Sequence, residues 1–337
     1  MTLRAPAAFR PSSRGGLWNV AVRPVGEWTS IPYAVAPAFR DHGPGTDRKD
    51  DVDTQQVKRV MRGRFAGPLR AGYRHAERTQ MAVVRRADRA RVGLPTDQER
   101  AEVARRVTMT VKTFERPDVL RRCLASAREV FDGRIVVADD SRVPVAGLGD
   151  GVDVIPLPFN SGVPAGHNAA LDAVTTELVF VTDDDIVFTA ASDLVAAMNY
   201  LDDHPEVDLV ALSRVDLPRW RAVHWHGADA LFPGARPPLV PFGTVLGDLP
   251  VVPKTPQLYL ARTASIRSVR WDERLRMVDH RDFFSRASGR IVAVQAQTVR
   301  AYHMRTPFDP FYTRYREDVA ADLRTLGEIW SGSRPSE

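Results

Sequence analysis

Read only for the spacing of its apolar positions, the chain changes character near residue 106. VTMTVKT (107–113) is a near-continuous apolar run, the signature of a strand buried on both faces. PDVLRRCLASAREVF (117–131) then repeats apolar residues three and four apart behind a proline, which predicts a helix with Pro117 in its first turn. The alternation continues. RIVVAD (134–139), DVIPL (153–157), ELVFVTD (177–183) and VDLVALS (207–213) read as strands, and VPAGHNAALDAV (163–174) and SDLVAAMNYLDDH (192–204) contain helices. Strands and helices in turn over short connections predict an α/β fold, a mostly parallel sheet flanked by helices. Ligands of such sheets gather at the carboxyl ends of the strands.

The flanks read differently. Residues 1–53, rich in Pro, Gly and Arg, predict an irregular N-terminal arm, and 54–105 a basic helical extension. Val57, Val60, Met61, Phe65, Leu69, Tyr73, Met81 and Val84 offer an apolar stripe, with Gly63, Gly67 and Pro68 as breaks. Two readings stand: helices packed on the main domain with a solvated arginine face, or a patch for an anionic acceptor or membrane surface. The main domain covers 106–305, and 306–337 reads as a helical tail.

Composition narrows the class without naming it. The 337 residues are 44% hydrophobic and 26% charged, which excludes a wholly disordered chain. No apolar run is long enough to span a bilayer, the first residues lack a signal-peptide core, and Cys123 is the single cysteine; a cytoplasmic location is expected. The net charge of +5 is carried almost wholly by arginine, the lysines being Lys49, Lys58, Lys112 and Lys254. Such a skew, with much Ala, Val and Pro, reads as coding bias before it reads as a nucleic-acid partner. No glycine fingerprint follows the first strand, so a dinucleotide site is not expected.

The most informative segment is ELVFVTDDDIVF (177–188), three aspartates at the end of an apolar strand. Alternation in an extended chain would point Asp183 and Asp185 one way and Asp184 the other. Converging carboxylates are costly, and a hard divalent cation, Mn²⁺ or Mg²⁺, resolves the repulsion while also binding a diphosphate.

Together with VTMTVKTFERPDVLRRCLAS (107–126), RIVVADDS (134–141), NSGVPAGHNAAL (160–171), and LYLARTASIRSVRWDERLRMVDHRDFF (258–284) followed by RAYH (300–303), this segment resembles the family-2-like glycosyltransferases. Their fold is the GT-A type, a Rossmann-like, mostly parallel sheet flanked by helices. The ending is similar to the branch of β-1,4-N-acetylgalactosaminyltransferases. The resemblance covers about residues 106–305. It implies that Thr113, Arg116, Asp139 and Asp140 border the nucleotide, and that Gly162, Ala165 and Gly166 line the diphosphate. Asn168 would bond the donor, Asp183 and Asp184 would face it, and Asp183, Asp185 and His303 would hold the metal. In this family an arginine usually precedes the Asn; here it is His167.

In MVDHRDFF the resemblance implies Asp282 as the catalytic base, with Asp279 and His280 beside it. PRWRAVHWHGADALF (218–232) offers Trp220, His224, Trp225 and His226 as acceptor contacts, with ordinary packing and a metal pair as the other readings. The implied activity is inverting, metal-dependent transfer of a sugar, guessed as an N-acetylhexosamine, from a UDP-linked donor to a hydroxyl acceptor. A small-molecule acceptor is favoured over a lipid. Two alternatives compete: a nucleotidyltransferase releasing pyrophosphate, and a basic nucleic-acid-binding protein.

Overall fold

The structure, a computed structural model, describes residues 66–304, 310–317 and 319–331. The arm expected at 1–53, and residues 54–65 of the extension, lie outside the described residues. Helix α1 (Ala66–Val92) begins where breaks were expected; Gly67 and Pro68 sit in its first turn, where a proline costs no helical hydrogen bond. Glu77, Met81, Val84 and Asp88 share one buried face. Met81 and Val84 pack against Val187, Val215, Tyr302 and Met304. Asp88 accepts from Thr189 Oγ1 and Arg300 Nη2, both at 2.7 Å, and from the Tyr302 hydroxyl at 3.0 Å. The exposed side carries Arg74, Arg78, Arg86 and Arg89. Helix α2 (Asp97–Arg106) follows, started by a reciprocal cap between Thr96 and Glu99.

The α/β domain then runs through β1 (Val107–Thr113), α3 (Pro117–Ala127), β2 (Ile135–Asp139), β3 (Val152–Pro156), α4 (Val163–Asp172), β4 (Leu178–Asp183), β5 (Ile186–Val187), α5 (Leu194–Asp203), β6 (Leu209–Leu217) and β7 (Arg221–Ala222). A short hairpin, β8 (Val245–Leu246) and β9 (Leu249–Pro250), leads to β10 (Leu258–Arg262), α6 (Thr263–Val269), α7 (His280–Ala287) and β11 (Ala293–Met304). Helices α8 (Pro310–Glu317) and α9 (Ala320–Ser331) close the described chain.

The main sheet has the order β3-β2-β1-β4-β10-β6-β11-β5, with β7 beside β6. β1 pairs in parallel with β2 and β4, β2 with β3, and β6 with β11. β10 runs antiparallel to both β4 and β6. Alternate residues of the strands feed two cores. Leu178 and Phe180 join Met109, Leu120 and Phe131 on one face; Val179 and Val181 join Tyr259, Phe283 and Phe284 on the other. Because β10 reverses between β4 and β6, those two strands point the same way. The carboxyl ends of β1, β2, β4, β6 and β11 therefore lie on one edge, which brings Thr113, Asp139, Asp183, Asp216 and His303 to it.

Candidate active site

At that edge β4 ends at Asp183, and Asp184 and Asp185 form a turn. The turn overrides strand alternation. Asp184 and Asp185 converge on Arg116, the residue that opens α3. Arg116 pairs with Asp184 and, through Nη1, with Asp185 Oδ2 at 3.1 Å. Thr113 Oγ1 donates to the other oxygen of Asp184 at 2.7 Å. Burial pushes the Asp184 carboxyl up, and the Arg116 charge partly offsets this. Burial opposes the charge of Arg116, but Asp184 and Asp185 outweigh it and hold the guanidinium protonated. Removing one member of a buried pair leaves the other uncompensated. Arg116→Ala is therefore expected to cost about 3–5 kcal/mol of stability, read as a lower urea midpoint.

His303, on β11, stands on the far side of Asp185, with Nε2 at 3.2 Å from Asp185 Oδ1 and Nδ1 at 2.8 Å from Asp216 Oδ1. Burial pulls the imidazole pKa down, but the two carboxylates prevail and raise it. Asp183 itself is half-buried at the strand end. Among the described residues, no group of three or more His, Cys, Asp or Glu side chains forms a coordination set. The donor types nonetheless fit a hard divalent ion. One carboxylate faces an imidazole whose other nitrogen is fixed by a second carboxylate, the usual support of a metal-binding histidine.

The expected nucleotide and diphosphate residues divide. Asp140 pairs with Lys112 and accepts from the Gly162 amide at 2.9 Å. Burial lowers the Lys112 pKa, and Asp140 partly restores it. Asp139, expected to read a base, is fully buried, and its two oxygens accept from the Ser141 and Val145 amides at 2.9 and 2.7 Å. It caps the loop after β2. Asn168, expected to bond the donor, instead joins α4 to the chain after α6. It exchanges hydrogen bonds with the Trp271 backbone at 2.9 and 3.0 Å and donates to Glu273 at 2.7 Å.

Gly162 has φ +102°, and a Cβ there would lie 2.9 Å from the Arg276 backbone. Gly166 leaves room for the Lys112 side chain, which crosses it. Both glycines thus serve close packing within the chain. Ala165 stands half-buried in the first turn of α4. His167, where the resembled family usually has Arg, is stacked on Trp271 with centroids 4.7 Å apart. Burial first, then Lys112, lowers its pKa to about 3, so it is neutral and cannot replace a permanent cation.

The remaining candidates lie on or beside α7. Asp282, expected as the base, is fully buried; Arg286 Nε donates to it at 2.7 Å and Trp330 Nε1 at 3.0 Å. It ties α7 to α9, on the buried side of a helix covered by the C-terminal segment. Asp279, one residue before α7, is 4% exposed. Burial raises the Tyr259 hydroxyl pKa, and the charges of Asp279 and Asp183 raise it further. His280 donates from Nε2 to the Thr255 carbonyl, and burial holds it neutral, well below the ordinary range.

Of the four acceptor candidates, Trp225 stands edge-on to His280 at 5.6 Å and beneath Lys254 at 4.4 Å. Trp220 packs edge-on against Tyr302 with the α1 core. His224 and His226 stack on each other at 6.2 Å.

Sequence reasoning missed Lys112, Asp216, Tyr312, Asp322 and Trp330. Lys112 was the findable one, a lysine inside an apolar strand of a chain with four lysines. Tyr312 lies 4.0 Å from the Arg116 guanidinium, while Tyr315 meets Phe114 and Phe159 edge-on at 5.3 and 5.7 Å.

An acidic turn held by Arg116 thus sits at the aligned ends of the strands, beside a glycine-led helix. Residues 108–242 match the model of glycosyl transferase family 2. Over 238 residues the chain is 30% identical to β-1,4 N-acetylgalactosaminyltransferase 2 of Mus musculus, covering 63% of this chain and 44% of that protein. Over 193 residues it is 35% identical to β-1,4 N-acetylgalactosaminyltransferase 1 of Homo sapiens, covering 53% and 35%. The chain thus spans less than half the length of these curated relatives. Among solved structures, S. aureus TarS 1–349 in complex with UDP matches 68% of this chain and 70% of its own, at 19% identity and a TM-score of 0.45.

Proposed function

We propose that the protein is an inverting, divalent-metal-dependent glycosyltransferase that moves an N-acetylhexosamine from a UDP-linked donor to a hydroxyl of a small-molecule acceptor. The observation that carries this reading is the gathering of Asp183, Asp184, Asp185, Arg116 and His303 at one sheet edge of a family-2 domain. The names of the relatives support the choice of sugar.

Asp183, Asp185 and His303 would hold Mn²⁺ or Mg²⁺, and the bound ion supplies positive charge against the leaving diphosphate. Asp279 takes the proton of the acceptor hydroxyl as its oxygen bonds to the anomeric carbon. The bond from that carbon to the diphosphate breaks on the opposite face, which inverts the configuration. The Trp225 face offers a platform for the acceptor ring. Arg116 and Thr113 hold Asp184 at the start of the turn that carries Asp185.

The test is a product assay with the full chain, a UDP-N-acetylhexosamine, Mn²⁺ and a panel of hydroxyl acceptors. Free UDP with a glycosylated acceptor supports the reading, and pyrophosphate release would replace it with nucleotidyl transfer. The basic helix α1 has its own prediction. Its inner face is docked on β11 and its arginines point outward, so Arg74→Ala and Arg78→Ala are expected to change the acceptor KM by less than about twofold, as exposed charges contribute little. A large rise that shrinks at high salt would instead make α1 an anion-binding surface.

A further inference from the structure

Helices α8 and α9 lie beyond the family-matched residues. Asp322, in the first turn of α9, is 2% exposed. Its carboxylate accepts from three successive backbone amides: Arg276 at 3.0 Å, Met277 at 2.7 Å and Val278 at 2.8 Å. The next residue is Asp279. The opposite side of the same turn rests on the donor loop, where the Arg276 carbonyl accepts from the Val163 amide at 2.8 Å and the Arg276 backbone meets Gly162. Three amides aimed at one point need an acceptor there, since each buried donor left unmade costs about 1–3 kcal/mol. A tether that only fastened α9 to the domain needed no such convergence, nor this place in the chain.

We propose that Asp322 is a positioning residue for the transfer reaction: it fixes the turn 276–278 and with it the backbone that leads directly into Asp279. Helix α9 is then a working wall of the site, and its carboxylate acts through the backbone that precedes the base. The inference rests on the reading of Asp279 as the base, and Asp279→Asn alone tests that reading.

The experiment compares Asp322→Ala, Asp322→Asn and Asp279→Asn in the full chain, together with the two double variants. UDP binding is measured by calorimetry and kcat at saturating donor. Asp322→Ala is expected to lower kcat roughly 10- to 100-fold, the size of effect a displacement near 1 Å produces. Asp322→Asn, which keeps one acceptor oxygen, should lose less, and UDP affinity should stay within about twofold of the parent in both. In the Asp279→Asn background the further loss from either Asp322 change should shrink to about twofold, because the group it positions is gone. Full additivity of the two losses would overturn the proposal, as would unchanged kcat in a folded Asp322 variant. A parallel fall of kcat and UDP affinity would also overturn it, since that pattern belongs to general destabilisation. If Asp322→Ala does not fold, Asp322→Asn carries the same comparisons.

Discussion

An Asp279→Asn variant is expected to bind donor as the parent does and to turn over roughly 10²–10⁴-fold more slowly, the usual worth of a positioned general base. The expectation follows from which carboxylate of MVDHRDFF is in a position to receive a proton. Asp282 is fully buried and already accepts from Arg286 and Trp330. A hydroxyl would have to displace both donors to reach it. Asp279, itself 4% exposed, lies just outside the helix at the end of the turn held by Asp322. Asparagine keeps its size and removes its basicity. Asp282→Asn should behave differently, weakening the join between α7 and α9 and lowering the thermal midpoint more than it lowers kcat. The decisive measurement is kcat at saturating donor beside UDP affinity for both variants. Turnover by Asp279→Asn comparable to the parent, with a collapse in Asp282→Asn, would return the role to Asp282.

Chelation is expected to abolish transfer, with recovery on adding back Mn²⁺ or Mg²⁺. A diphosphate approaching the end of β4 meets three consecutive aspartates, of which Arg116 neutralises part. At about 4 Å two like charges repel by roughly 4 kcal/mol in a partly screened protein environment, so an added cation is needed for tight binding. Asp185→Asn replaces an anionic ligand by a neutral amide and should weaken UDP binding by about tenfold or more in the presence of Mn²⁺, roughly 1.4 kcal/mol. His303→Ala should raise the Mn²⁺ concentration needed for half-maximal rate more mildly. Undiminished transfer in excess chelator would remove the metal from the reading.

The central strands were legible because their chemistry is local. VTMTVKT and LVFVTD are buried throughout or nearly so, and a run buried on both faces shows itself without knowledge of its neighbours. The position of the acidic segment at a strand end followed from the same runs. What it does there was not legible, since strand alternation stops at Asp183 and a two-residue turn redirects Asp184 and Asp185 onto Arg116, 68 and 69 residues away in sequence. Asp139 and Asn168 show a related limit. Each is a polar residue in a stretch that resembles a donor-binding loop, and each is consumed by backbone groups whose positions only the folded chain defines. Asp282 was assigned by its motif, while its burial is decided by Trp330, 48 residues further on.

The reversed strand at the middle of the sheet bears on how this chain can be recombined. The family-matched stretch ends at residue 242, whereas β10, which fills the space between β4 and β6, comes from 258–262. A fragment cut to the matched boundaries would retain both neighbours and lose the strand that joins them, opening two apolar sheet edges in the interior. The unit recognised by sequence likeness is therefore smaller than the unit that folds. Chimeras that exchange donor specificity between relatives have to carry β10 and the turn before α7 along with the acidic segment. Single crossovers placed near residue 242 would pair a donor half with a strand selected for another sheet.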